Sequence, residues 1–280
     1  MSDFLEQMAA GSRARLAAAK RSCSEAALLQ KAVATPPPPR LTPSGAGFDL
    51  IAEMKLRSPA VGQLKSSDDN DVEQRVTSYA RAGAAVVSVL TEPSRFDGSM
   101  SHLEAASRVL RPLDVPAMRK DFLVDPYQVI EARAAGAGGV LLILRMLSRS
   151  GISVLLDCAR SLELFVLLEA FDEEDLQLMH DFVDTRAVVL MGLNCRDLTT
   201  LQIVPQRLID LADLLPRNVP RVAESGVATA GDAARVAAAG YQFALVGSAL
   251  MQGGDPHALA AAMLKSGRSS SRGENARERQ

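Results

Sequence analysis

Acid, base and small polar residues recur directly behind short apolar runs in this sequence. Glu53 and Lys55 end the run that starts at Phe48, Thr91-Glu92 follow the next, and Arg119-Lys120-Asp121-Phe122 the third. Glu169, then Asn194 with Arg196, then Glu224-Ser225-Gly226, then Gly247-Ser248 stand behind later runs. Carboxylates and amines carry general acid–base chemistry when their surroundings tune them. Alternate residues of a strand share a face, so Glu53 and Lys55 point the same way. The Ser-Gly and Gly-Ser pairs suit a different task. Small residues let backbone N–H groups approach an anion, and Gly247-Ser248 opens an apolar helical turn whose amino end adds a favourable dipole. The expected chemistry is proton transfer on a substrate held by its phosphate. Singly, each charge also reads as a solvated loop residue and each glycine as a tight turn. Their recurrence at one end of five runs argues for a shared site, because charges beside strand interiors are costly unless paired.

The runs themselves predict the frame. FDLIAEM (48–54), AAVVSVLT (84–91), VPAMR (115–119), GGVLLIL (138–144), LFVLLEA (164–170), AVVLMGL (187–193), PRVAES (220–225) and YQFALVG (241–247) are continuously apolar. That is the pattern of parallel strands covered on both faces. Helix-like segments lie between them, such as 71–83 and 125–138. The second opens with Asp125 as N-cap and Pro126 at the first helical position. Gly83, Gly136 and Gly240 stand where helices give way to strands. Eight strand–helix units fit a closed (βα)8 TIM barrel of the α/β class. An open doubly wound sheet would place a glycine-rich phosphate loop after its first strand, where this chain has Glu53-Met54-Lys55. A barrel puts its site at the C-terminal strand ends, with phosphate bound after strands 7 and 8.

The barrel is expected over residues 48–264. Residues 1–47 read as an N-terminal helical extension, amphipathic over 3–33, and a connector stiffened by the four prolines after Thr35. A Pro-rich ligand for a partner domain is the other reading of that run; a spacer suits it better. The polar segment 265–280, with five positive and two negative residues, reads as a disordered tail. A net charge of -2 leaves no basic field for nucleic acid or anionic membrane. Aromatics are 4% and Trp is absent, so stacking platforms for single strands are not expected. Cys23, Cys158 and Cys195 are odd in number and far apart, which argues against disulfides and structural zinc. His102, His180 and His257 are equally scattered, and Cys195 has no evident histidine partner. No metal or cofactor site is therefore expected. No window approaches a membrane helix and no secretory signal opens the sequence, so the expected setting is soluble and cytoplasmic.

Six ordered blocks carry a resemblance: AEMKLRSPA (52–60), SVLTEPSRFDGS (88–99), RKDFLVDPYQVIEARAAGA (119–137), GLNCRDL (192–198), VAESGV (222–227) and LVGSALM (245–251). Together they resemble indole-3-glycerol phosphate synthase, from about Ile51 to Pro256 and more loosely over the N-terminal helices. The resemblance implies a (βα)8 enzyme of tryptophan biosynthesis, without metal or organic cofactor. Its substrate would be 1-(2-carboxyphenylamino)-1-deoxyribulose 5-phosphate. The pyrrole ring closes, carbon dioxide and then water leave, and indole-3-glycerol phosphate forms. By the family pattern Lys120 is the general acid on the ketone, Glu53 and Lys55 serve proton transfer and charge binding, and Glu169 assists dehydration. Asn194 and Arg196 hold polar groups of the substrate. Ser58, Glu224, Ser225, Gly226, Gly247 and Ser248 match substrate and phosphate positions, and Phe96 and Phe122 could pack on the ring. Ring closure needs a proton donor at the ketone oxygen. A nearby cation such as Lys55 is expected to lower the Lys120 pKa toward working pH. A dry mouth beneath the N-terminal helices would strengthen these interactions.

The resemblance has gaps. Leu168-Glu169-Ala170-Phe171 replaces the usual VEVH, Val61 stands where SPSKG carries lysine, and 145–165 deviates around Arg145. These departures leave open a paralogue acting on a ring-modified anthranilate. The phosphoribosylanthranilate isomerase type wants a Cys and an Asp where Glu53 and Asn194 stand. A non-catalytic phosphate-binding barrel would not need Glu53, Lys120 and Glu169. A monomer or weak homo-oligomer is expected.

Overall fold

The apolar runs become strands because each is buried from both sides, by its barrel neighbours within and by helices without. The computed structural model describes residues 3–58, 62–63, 69–183, 188–252 and 254–277. Two helices come first, α1 (Asp3–Ser22) and α2 (Glu25–Ala34). The barrel then follows as β1 (Asp49–Met54), α3 (Asp69–Arg81), β2 (Val86–Leu90), α4 (Met100–Leu110), β3 (Ala117–Lys120) and α5 (Pro126–Ala134). It continues with β4 (Gly139–Ile143), α6 (Arg149–Ser161), β5 (Phe165–Ala170), α7 (Glu173–Met179), β6 (Val189–Asn194) and β7 (Arg221–Glu224). It ends with α8 (Ala230–Ala238), β8 (Phe243–Val246) and α9 (Pro256–Arg277). The eight strands pair in parallel and close, in the order β1-β8-β7-β6-β5-β4-β3-β2. The fold is the (βα)8 TIM barrel, and each strand falls on its expected run, with β3 and β6 each reaching one residue past it. Asp125 caps α5 through the Tyr127 N–H, with Pro126 at its first position, as expected.

Alternation along the strands sorts the side chains. Leu50, Ala52 and Met54 face the helix layer, whereas Ile51 and Glu53 face the barrel interior. Ile51, Met118, Leu141, Leu167, Leu190, Val222 and Leu245 fill that interior as one apolar cluster, with Phe165 low in it. A Cβ on Gly139 would lie 2.4 Å from the Phe165 ring, so this strand position has no room for a side chain. The same cluster continues upward into Leu5 and Met8 of α1. Burying two such side chains contributes roughly 3–6 kcal/mol, enough to seat one helix across the barrel mouth.

The helical region expected over 3–33 is divided into two helices. Ser24 breaks it, its hydroxyl accepting from the Ala27 N–H to start α2. Leu28 and Ala32 of α2 pack on Tyr127, Ile130 and Ala134 of α5. The proline connector runs against the barrel, with Pro39 O near Gly138 and Arg133 donating to Thr35 O at 3.0 Å.

Segment 265–280 is not a disordered tail over its described part, because α9 continues through it to Arg277. Its composition is polar, but one face meets the foot of β1. Arg268 donates to Phe48 O at 3.0 Å and to Asp49 Oδ1 at 2.8 Å, and Ser271 Oγ to Gly47 O at 3.3 Å. Gly267 leaves space for the Phe48 ring, since a Cβ there would sit 2.2 Å from it. Arg268→Ala will therefore strip a donor from a carboxylate only 4% exposed. We expect a loss of about 1–3 kcal/mol in urea unfolding with turnover kept. An unchanged midpoint would show that this contact does not hold the terminus down.

Candidate active site

β1 places Glu53 and Lys55 at the mouth. Lys55 Nζ lies 2.7 Å from Glu53 Oε1, and both side chains are largely buried. The pair has room because Gly247, the residue after β8, carries no side chain. A Cβ there would stand 2.2 Å from Glu53 Oε1 and 2.9 Å from Lys55 Nζ. β3 delivers Lys120, whose Nζ lies 3.7 Å from Glu169 Oε1 at the end of β5. Asn194, on the neighbouring β6, donates to the same Glu169 oxygen at 2.6 Å and accepts the Arg196 N–H through its own oxygen at 3.0 Å. Glu224 ends β7, opposite Asn194 in register and 1% exposed.

Electrostatics separates these groups. Burial alone would raise the Glu53 pKa, but Lys55, Lys120 and Arg196 outweigh it and hold the carboxyl below its ordinary range. Burial would likewise lower Lys120, yet Glu169, Glu224 and Glu53 outweigh it and raise its pKa. The expected lowering by Lys55 is thus overturned: Lys55 is spent on Glu53, and Lys120 faces three carboxyl groups. The ammonium form of Lys120 is thereby favoured.

Two tight turns follow β7 and β8, where the phosphate site is expected. Ser225 adopts φ 65°, a left-handed conformation that costs a non-glycine residue about 1 kcal/mol or more, and Gly226 follows at φ 71°. Gly247 and Ser248 begin a short helical turn, Ser248–Gln252. A Cβ on Gly226 would lie 3.0 Å from Cys195 Sγ, so Cys195 serves as packing. Burial pushes its thiol up to about 11, which disfavours the thiolate.

One cavity of about 210 Å³ joins all of this. It is lined by Glu53, Lys55, Lys120, Glu169, Asn194, Arg196, Glu224, Ser225, Gly226, Gly247 and Ser248, with Phe96 and Phe122 on its apolar side. Ser58 lies on the short antiparallel pair Arg57–Ser58 and Gly62–Gln63; its side chain and residues 59–61, Val61 included, lie outside the described residues. Arg196 turns its guanidinium onto Leu201 O at 2.7 Å, so it also braces the loop that folds Leu198, Leu201 and Ile203 over the cavity. Among the described residues no group of three or more His, Cys, Asp or Glu is arranged to hold a metal ion, and no helix is long and apolar enough to cross a membrane.

Sequence reasoning left several wall residues unassigned. Phe4 of α1 meets Phe122 edge-on at 6.0 Å, and Phe96 meets it at 6.2 Å. Phe171 lines the cavity beneath Arg145, whose guanidinium sits 5.1 Å from the ring centroid and pairs with Asp172 and Asp175. The deviant segment around Arg145 is therefore one assembly with Phe171. Arg15 of α1 reaches Asp121 at 2.7 Å and Glu92 at 3.4 Å, two carboxylates buried beside the mouth. Only the apolar pattern of α1 hinted at Phe4; nothing local pairs Arg15 with residues 77 and 106 positions away.

Residues 5–263 match the family model for indole-3-glycerol phosphate synthase. The chain belongs to that family. The indole-3-glycerol phosphate synthase of Parafrankia sp. (strain EAN1pec) is 39% identical, covering 94% of this chain and 96% of its own. That of Nocardioides sp. (strain ATCC BAA-499 / JS614) is 42% identical over 90% and 94%. A solved 3-hexulose-6-phosphate synthase from Salmonella typhimurium superposes with a TM-score of 0.61 at 13% identity, over 80% of this chain and 100% of that one. At that identity the likeness is one of fold alone. Membership covers the N-terminal helices as well as the barrel, so the synthase family includes the part of this chain that closes the mouth.

Proposed function

We propose that this chain converts 1-(2-carboxyphenylamino)-1-deoxyribulose 5-phosphate to indole-3-glycerol phosphate. The observation that carries the reading is the convergence of the Lys120 ammonium, the Glu53 and Glu169 carboxyls and the Ser225-Gly226 and Gly247-Ser248 turns on one cavity. The phosphate would sit on the two turns. The aromatic ring would then lie toward Phe4, Phe96 and Phe122, across the mouth. Lys120 would donate to the ketone oxygen as the ring carbon attacks, and Asn194 keeps Glu169 in place beside it. Loss of carbon dioxide discharges the carboxylate against an apolar wall, where a buried anion is costly. Dehydration would follow with carboxyl groups taking and giving protons.

The reading carries with it an enzyme of the cytoplasm, a monomer or weak homo-oligomer, that needs neither metal nor organic cofactor. Every group in the proposed mechanism comes from a single chain. Incubation of the purified chain with the anilino-deoxyribulose phosphate should yield indole absorbance and carbon dioxide in equal amounts. Affinity for the substrate with neither product would instead make it a binding protein.

A further inference from the structure

The end of β5 is where this chain departs from the family pattern. Phe171 closes the block Leu168-Glu169-Ala170-Phe171, so a benzyl group stands where VEVH would put an imidazole. Its ring is 4% exposed and lines the cavity, as Glu169 does two residues earlier, while Ala170 between them faces the helix layer. Over the ring sits a cluster of three charges. Arg145, in the turn Leu144–Met146 after β4, holds its guanidinium 5.1 Å from the ring centroid. Its Nε donates to Asp175 Oδ2 at 2.8 Å, and its Nη2 lies against both Asp172 and Asp175. The same Asp175 oxygen accepts the Phe171 N–H at 2.8 Å. Asp172 in turn caps α7 through the Asp175 N–H. Backbone and ring of Phe171 are thus gripped by one cluster, whose three charged residues stay off the cavity's lining.

This decides what the mouth can hold. In the closed order of strands, β3 and β4 stand across from β7 and β8. Phe122, after β3, and Leu141 and Ile143 of β4 therefore face the two turns from the far side of the cavity. Phe171 adjoins them at the end of β5, and all four belong to one apolar cluster. An imidazole in its place would offer a substituent on the substrate a hydrogen-bond donor or acceptor, and a phenyl ring offers neither. A hydroxyl set against this wall would lose its water without gaining a partner, whereas a methyl group would gain by burial.

We propose that Phe171 is a specificity-determining residue, which admits hydrogen or a small apolar substituent on the aromatic ring of the substrate and rejects a polar one, and that Arg145 is the positioning residue that holds its ring in place. This deepens the synthase reading above and rests on it. Cation–π attraction and the charged hydrogen bonds to Asp172 and Asp175 hold guanidinium and ring as one unit. Without the guanidinium the ring can leave its place, and the wall then opens to water and to polar groups.

The test is a substrate panel: the anilino-deoxyribulose phosphate unsubstituted, and with methyl or hydroxyl at each open ring position. Turnover is followed by carbon dioxide release, which is independent of the absorbance of the substituted ring. In the wild-type chain kcat/KM for methyl should exceed that for hydroxyl by about 10–10²-fold at one position or more. Phe171→His should cut that ratio about tenfold, while Phe171→Leu, still apolar, should keep it. Arg145→Met should cut it as well, and Arg145→Lys, which returns a cation to the two carboxylates, should recover it in part. Ring electronics act alike on every chain, so a change of ratio between chains reports the wall. Equal use of methyl and hydroxyl by the wild type at every position would overturn the proposal, and this outcome needs no variant to fold. A ratio left unchanged by Phe171→His would also overturn it, and one left unchanged by Arg145→Met would remove Arg145 from its role. No carbon dioxide from the unsubstituted substrate would defeat the synthase reading itself, a separate outcome.

Discussion

Lys120→Met will lower kcat by about 10³-fold while the chain still binds a phosphorylated indole product. Methionine matches the length of the lysine stem and removes only the charge and its donors. The mouth then lacks the cation that stands 3.7 Å from Glu169 and that helps keep Glu53 ionised. The ketone oxygen would have to accumulate negative charge with no acid beside it. The turns after β7 and β8, proposed to hold the phosphate, are untouched, so KM or product affinity should change far less than kcat. The effect should appear at every neutral pH. The Lys120 pKa is raised above its ordinary 10.5, so the charged form prevails at neutral pH and is lost only as pH climbs beyond that value. Steady-state kinetics and product titration by fluorescence measure both sides. A kcat within tenfold of wild type would remove Lys120 from the role of acid.

Gly247→Ala should cost about 10²-fold in kcat/KM, though it adds a single methyl group. The added carbon would occupy space now held by Glu53 Oε1 and crowd Lys55 Nζ. Neither side chain can retreat easily, because β1 and β8 are hydrogen-bonded neighbours and Glu53 is buried. On the proposed reading, the same substitution would also push the substrate phosphate away from the turn at Ser248. Unfolding midpoints measured beside kcat/KM separate a displaced site from a lost fold. Near-normal efficiency would mean that the Glu53–Lys55 contact is not needed for chemistry.

Much of this site is visible in the residues alone, for a physical reason. Parallel strands buried on both faces write themselves as unbroken apolar runs, so the charge behind each run marks a strand end at the mouth. Glu53, Lys120, Glu169 and Glu224 can be found that way. What pairs with what cannot, because it depends on register between strands far apart in the chain. Lys55 looked like a modulator of Lys120 until the geometry put it on Glu53. The segment after residue 264 misled for the opposite reason. Polar composition signals solvent, but Gly267, Arg268 and Ser271 meet Phe48, Asp49 and Gly47 through bare backbone, a guanidinium and a hydroxyl, none of which registers as apolar pattern.

Helix α1 is fastened at four further points along its length. Arg15 joins Asp121 and Glu92, Ser12 accepts from Gln128, Lys20 meets Asp125, and the Tyr127 hydroxyl donates to Ala19 O. Lifting the helix would take a cation from two carboxylates that are each 1% exposed, leaving Asp121 to Arg119 and Thr91, and Glu92 to the hydroxyl of Ser94 and the N–H groups of Ser94 and Arg95. That makes α1 a fixed wall and not a door. Traffic of substrate and product is then to be sought along the rest of the rim, away from this helix.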